Sequence, residues 1–191
     1  MTIKFHSNQS LLNFDQSLKQ ERNQHFQMIF DANNSDNRFK IITLGEAGAG
    51  KTSLLLRISR NVFEPSTPTT IGATYFTVQR KYNNKIDIDL ELWDTAGQER
   101  YRSILPLYSQ NCSAILLVFD SSSENAVKSI EYWMNYIQIN IWGEKSENGS
   151  SSSKVQNPPV YLVGNKYDLL EEKYGNVEIE KTINEVVEQF N

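Results

Sequence analysis

"ITLGEAGAGKTSLLLR", residues 42–57, decides the reading of this chain. An apolar lead-in, "KIITL", has the composition of a short buried strand. Gly45 follows, then four residues, then Gly50, Lys51 and Thr52, and "SLLLRI" opens with helical patterning. Strand, G-x-x-x-x-G-K-[ST], helix is the setting in which such a loop binds phosphate. Glycines at 45, 48 and 50 let the backbone curl so that its N–H groups face an anion. The start of the helix adds its positive end. The whole loop is therefore the candidate phosphate site: Gly45, Glu46, Ala47, Gly48, Ala49, Gly50, Lys51, Thr52 and Ser53. Lys51 would reach the β- and γ-phosphates, and the Thr52 hydroxyl would ligate Mg²⁺. The plainer alternative is an ordinary strand-to-helix turn.

Two further stretches narrow the chemistry. "WDTAGQERY", residues 93–101, ends a strand. Ligands in open α/β sheets bind at the carboxyl ends of strands. Asp94 can then face the phosphate loop and hold Mg²⁺ through a water. Gly97 has no side chain, so its N–H can approach a γ-phosphate. Gln98 can both donate to and accept from an attacking water. "VGNKYD", residues 163–168, also follows a strand. An ionised Asp168 only accepts, and guanine offers it two adjacent donors where adenine offers none. Leaving such a buried carboxylate unpaired discriminates by roughly 10⁴–10⁵-fold. Asn165 can bond the base edge, and the aliphatic stem of Lys166 can cover its face. Read alone, either stretch could be a polar turn.

The bulk properties suit one soluble α/β unit. The chain has 191 residues and a net charge of −4, with no basic footprint for nucleic acid. Its single cysteine, Cys112, precludes a disulfide within the chain and reads as a core thiol at the head of "SAILLVFD". No apolar run is long enough to span a bilayer. Thr2 stands where N-myristoylation needs glycine, and "EVVEQFN" offers no cysteine to prenylate, so no covalent lipid anchor is visible. The expected location is cytoplasmic, or peripheral on membranes through partners.

Residues 1–38 are polar and read as an N-terminal extension. Within them Leu11, Phe14, Leu18, Phe26, Ile29 and Phe30 lie near one helical stripe, so an amphipathic helix is expected at about 10–30. From residue 39 to 191, strand and helix patterns alternate. "TYFTVQRKYNNKIDIDLELWD" predicts a hairpin turning at Asn83–Asn84. "SAILLVFD" and "VYLVGNKYD" predict buried strands. "ENAVKSIEYWMNYIQINIW" and "IEKTINEVVEQF" predict helices, and the Ser-rich stretch 143–159 a solvated loop. The fold class that follows is α/β: a mostly parallel, twisted sheet with helices on both faces.

From about Phe39 to Asp168 the chain resembles a Ras-superfamily small GTPase, most of all the Rab family. The stretches that carry the resemblance are "GEAGAGKTS", "TTIG", "LWDTAGQERY" and "GNKYD", in the family order. It implies the P-loop NTPase fold and a GDP/GTP cycle with Mg²⁺. It implies that Thr70 ligates the metal and contacts the γ-phosphate, that Phe63 packs on the guanine, and that Gln98 is the catalytic glutamine, with Lys51 and Thr70 beside it. Tyr75, Trp93 and Tyr108 match an aromatic triad at the Rab effector surface, although core packing would account for them equally. Exchange factors, GTPase-activating proteins and effectors are the implied partners.

The chain also departs from the family. It has "IGATY" where Rab proteins carry "IGVDF", and "LYSQNCSA" where they carry a "YYRGA"-like segment. Ala47 replaces the glycine of Ras proteins beside the γ-phosphate, which suggests slow hydrolysis. The resemblance calls for a sixth strand, a Ser-Ala-Lys-like loop and a long helix after "EVVEQF", so residues 39–191 read as a G domain lacking its last strand and helix. Two functions stay open. One is a switch that hydrolyses GTP, in vesicle trafficking. The other is a guanine-nucleotide-binding scaffold with little or no turnover.

Overall fold

The computed structural model describes residues 2–4, 37–82, 86–143 and 157–169. The apolar run before the phosphate loop forms a strand, as its composition requires. Arg38–Leu44 is β2, and it pairs in parallel with both β4 (Ile86–Thr95) and β5 (Ala114–Asp120). Strand β3 (Ala73–Tyr82) pairs antiparallel with β4, with Tyr82 opposite Ile86. Strand β6 (Val160–Asn165) lies parallel beside β5, and β1 (Thr2–Lys4) lies parallel beside β6. The result is a six-stranded, mostly parallel sheet in the order β1-β6-β5-β2-β4-β3.

Alternation along the strands sends side chains to two faces. On one face Ile42, Leu44, Ile115, Leu117 and Phe119 meet helix α3 (Ala126–Ile137). That helix buries Ala126, Ile130, Trp133, Met134 and Ile137, a spacing of three and four that keeps one stripe on the sheet. On the other face Val78 and Leu92 pack with Leu55 of helix α1 (Lys51–Arg60). Helices thus cover both faces, as expected for α/β. Full burial of side chains such as these contributes roughly 1.5–3 kcal/mol each.

Helix α1 begins at Gly50, whose backbone is left-handed at φ 87°, and ends at Asn61, whose N–H bonds the Arg57 carbonyl. Arg57 and Arg60 in its last turn complement the dipole. After β4 the chain enters a 3₁₀ helix, Glu99–Ile104, and a single turn, α2 (Leu105–Tyr108). Beyond α3 the backbone widens to a π-helical turn at Gln138–Trp142, where the sequence pattern had predicted one continuous helix.

Cys112 is half-buried against the first core cluster, and burial pushes its thiol up to about 11. It is a core thiol and not a ready thiolate. The boundary expected at residue 38 does not separate Thr2–Lys4 from the sheet, because those residues pair with β6. The expected helix at 10–30, the turn at Asn83–Asn84, residues 144–156 of the Ser-rich loop, and the final helix lie outside the described residues. Among the described residues no helix is long and apolar enough to cross a membrane.

Candidate functional site

The carboxyl ends of β2, β4 and β6 open onto one cleft of about 610 Å³, a size suited to a nucleotide. Its floor is the loop between β2 and α1. Gly45, Gly48 and Gly50 all have positive φ, which glycine alone adopts at little cost. At Gly50 a Cβ would also collide with the Asn165 amide. Positive φ at the three glycines curls the loop, and the missing Cβ of Gly50 lets a distant strand end close on it.

Lys51 is only 5% exposed. Its Nζ donates to the carbonyls of Gly45 (2.8 Å) and Glu46 (2.7 Å), so the ammonium lies along the inner wall of the loop. Burial lowers its pKa from 10.5 to about 8, against the opposing pull of Asp94 and Glu46. A phosphate beside it would supply the charge partner that burial demands.

The Thr52 hydroxyl lies one residue on. It donates to Asp94 Oδ2 at 2.7 Å and stands 2.9 Å from the Thr70 hydroxyl. Thr70 donates to the same Oδ2 at 3.0 Å. Three residues far apart in sequence, Thr52, Thr70 and Asp94, thus meet at one point. Asp94 is 1% exposed, and its other oxygen, Oδ1, has no hydrogen-bond partner among the described residues. Burial raises its pKa, opposed by the hydrogen bonds from Thr52 and Thr70 and by Lys51. A buried carboxylate with a spare oxygen beside two hydroxyls is a hard-oxygen set, and it fits Mg²⁺ with its waters. Among the described residues no cluster of three or more His, Cys, Asp or Glu could hold a metal, so no softer or all-protein metal centre competes.

Gly97 sits directly on the loop. A Cβ there would run into the backbone of Ala47 and Glu46 and into Lys51 Nζ. Gln98 follows in extended conformation and lines the cleft with Thr70. Ala47, Gly48 and Ser53 line it too, while Gly45, Glu46 and Ala49 act from behind through their carbonyls.

At the opposite end of the cleft, β6 delivers Asn165, Lys166 and Asp168. Asn165 Nδ2 donates to the Ala49 carbonyl at 2.8 Å, which ties the strand end to the phosphate loop. Asp168 is exposed at the rim, where the sequence argument had treated its carboxylate as buried. A bound base would have to provide that burial. Phe63 also lines the cleft and is 60% exposed, with the Arg57 guanidinium 6.0 Å from its ring.

Asp120, at the end of β5, carries no motif and was missed by the sequence reading. It accepts from Lys166 Nζ at 2.7 Å and from the Ser122 hydroxyl at 2.6 Å. Burial alone would raise the Asp120 carboxyl, but the bonds from Lys166 and Ser122 hold it below the usual range. The ion pair fixes Lys166, whose backbone is left-handed at φ 57°. Asp120 and Lys166 are separated by 46 residues, so no local pattern could have linked them.

The aromatic triad forms one contiguous stack. Tyr75 lies on Trp93 at 5.3 Å and Trp93 tilts against Tyr108 at 6.0 Å. Trp93 and Tyr108 pack on the core, while Tyr75 is 58% exposed. The stack therefore joins core to surface.

Comparison with known proteins agrees with this geometry. The Ras family profile matches residues 40–190. Ras-related protein Rab-27B of Rattus norvegicus is 32% identical over 164 residues, which cover 81% of this chain and 68% of that protein. Putative ras-related protein Rab-5B of Dictyostelium discoideum is 34% identical over 170 residues, covering 86% of this chain and 72% of its own length. Ras-related protein Rab-3B of Bos taurus is 34% identical over 140 residues, or 73% and 58% of the two chains. Phosphate loop, magnesium-type oxygen set, base-side strand end and these similarities agree, and the chain belongs to the Ras family as a Rab-like small GTPase.

Proposed function

We infer that the chain is a guanine-nucleotide switch that binds GTP and GDP with Mg²⁺ and hydrolyses GTP slowly. The observation that carries this is the meeting of the Thr52 and Thr70 hydroxyls on Asp94 Oδ2, at the foot of a cleft whose far end bears Asn165 and Asp168. Thr70 belongs to the loop between α1 and β3, so its position reports on whether that loop is closed. A γ-phosphate would hold Thr70 in place, and its loss would free the loop, the ordering device of GTP switches.

Thr52 and Thr70 would hold the Mg²⁺, with Asp94 acting through water. The ion would neutralise charge developing on the β- and γ-phosphates. Lys51 would bind the same phosphates from the loop wall. Gln98 orients the attacking water, and Gly97 admits the phosphate to its N–H. Little covalent chemistry is asked of the protein, so positioning and electrostatics supply the rate. Ala47 beside the γ-phosphate and the absence of a motif-borne arginine finger make turnover slow without a partner arginine.

Exchange factors, a GTPase-activating protein and effectors are the proposed partners, with Tyr75 the exposed end of the effector contact. Vesicle trafficking, on membranes reached through partners, is the proposed setting. Mass spectrometry of the nucleotide bound to purified protein, followed by single-turnover GTP hydrolysis, tests the reading. Bound GDP with measurable hydrolysis supports the switch. GTP retained without turnover would replace it with a guanine-nucleotide-binding scaffold.

A further inference from the structure

Strand β1 lies outside residues 40–190, the stretch that the Ras family profile matches, yet its backbone is part of the same sheet. Thr2, Ile3 and Lys4 run parallel to β6, opposite Tyr161, Leu162 and Val163. Three consequences follow from that register.

Because the pairing is parallel, the chain leaves Lys4 at the end of the sheet where β6 delivers Asn165, which is the end that holds the cleft. Among the described residues, β1 is what pairs with the outer side of β6, and without a partner there the strand would present an open edge. And β1 supports only one half of the cleft. It flanks the strand that carries the base-side residues, while β6 and β5 separate it from β2, which leads into the phosphate loop.

Strands β1 and β2 run in the same direction in one sheet, with β6 and β5 between them, so a hairpin cannot connect them. The connection needs a crossover of about a dozen residues or more. The stretch between Lys4 and Arg38 has that length, and its sequence carries the apolar stripe from Leu11 to Phe30. In the structure, the slot beside β6 is filled from the front of the chain.

We propose that Thr2–Lys4, the edge strand beside the base-reading loop, is a positioning element for Asn165, Lys166 and Asp168. The first residues are then an integral piece of the nucleotide-binding unit. The positioning role rests on the reading of Asn165–Asp168 as the guanine-reading loop. The place of the strand in the sheet does not.

The test compares three chains. One is the full chain. The second begins at Asn37, with residues 1–36 deleted. The third begins at Asn37 and carries residues 1–36 after Asn191 through a flexible Gly/Ser linker. Dissociation of fluorescent GDP, preference for GDP over ADP, binding of tripolyphosphate with Mg²⁺, and melting temperature are measured on each. Hydrogen exchange at the amides of residues 2–4 is followed in the full chain.

The deletion is expected to release GDP about tenfold faster or more and to lose guanine preference, with tripolyphosphate binding kept. The rearranged chain is expected to regain both GDP retention and melting temperature, and the three amides to be protected. If the deleted chain does not fold, recovery by the rearranged chain still decides in favour. Unchanged GDP release on deletion, a rearranged chain no better than the deletion, or unprotected amides would each overturn the proposal. Should the full chain bind no GDP, the base-reading assignment and the positioning role fall together, and the strand's place is decided by melting temperature and amide protection.

Discussion

At the phosphate end of the cleft, Lys51 already makes two hydrogen bonds, and Thr52, Thr70 and Asp94 already touch. At the base end, Phe63 and Asp168 are exposed, while Asn165 bonds the Ala49 carbonyl and Lys166 bonds Asp120. The phosphate end is built by backbone: a strand end, a glycine loop and a helix start. The base end is built by side chains, two of them exposed. A site whose donors are partnered before binding spends less free energy on ordering when the ligand arrives. Phosphate affinity should therefore depend first on Lys51 and the glycine loop that holds it, and base selectivity on exposed groups that a bound base would bury.

The sharpest way to break that comparison is to remove Lys51. Lys51→Ala deletes a cation placed to make two or more charge-assisted hydrogen bonds to phosphate, each about 1.5–3 kcal/mol. GTP affinity, by titration with a fluorescent analogue, should fall on the order of 10²–10⁴-fold. A loss under about tenfold would mean that the loop is not the anchor.

Gln98→Leu sharpens the same comparison within the phosphate end. Gln98 lines the cleft beside Thr70 but belongs to neither the Lys51 nor the Asp94 bonds. Affinity should hold while single-turnover hydrolysis slows on the order of 10²-fold, the scale of a misplaced nucleophile. Equal rates in variant and parent would remove Gln98 from the mechanism.

The same contrast explains what could be read from the sequence. The phosphate loop is local: its glycines, lysine and threonine lie within nine residues, Gly45–Ser53, so the motif and its geometry are one statement. Asp94 and Asn165 were legible because each ends a strand, and strand ends in parallel sheets converge on one edge. Non-local pairing was not legible. The Lys166–Asp120 ion pair links positions 46 apart and follows from the neighbouring placement of β5 and β6, which no local pattern records. The three residues of β1 are too few to carry a period and sit in a polar stretch, so only the pairing with β6 reveals them. The exposure of Asp168 was missed for another reason: a motif names a residue's role in the complex and says nothing about the free protein.

At the base end, Asp168→Asn should weaken GDP and GTP by about 10- to 150-fold, the loss of one charge-assisted contact of about 1.5–3 kcal/mol. Because Asp168 is exposed in the free protein, the melting temperature of the nucleotide-free chain should not change. A variant that binds GTP as tightly as the parent would show that "NKYD" does not read the base. A large fall in the melting temperature of the free chain would show that the base end is prebuilt after all.

The smallest effect is in pH, and it separates the free cleft from the filled one. Burial lowers Lys51 from 10.5 to about 8 in the free protein. A phosphate beside it restores the charged form. Below about pH 7 the ammonium is charged in both states, and affinity should be flat. Above pH 8 the free chain must take up a proton in order to bind. Relative to pH 7, affinity should fall about twofold at pH 8 and about tenfold at pH 9. Stability of the nucleotide-free chain should move the other way. Between about 8 and 10.5 the unfolded lysine keeps a proton that the folded one has lost, so the unfolded state binds more protons and stability rises with pH across that window. Calorimetric titration in two buffers of different ionisation enthalpy, with melting of the stripped protein over the same range, measures both slopes. Opposite signs would tie Lys51 to the ligand through its charge. An affinity that stays constant from pH 7 to 9 would mean that Lys51 is already charged in the free loop, and that the phosphate end is complementary to its ligand before any proton moves.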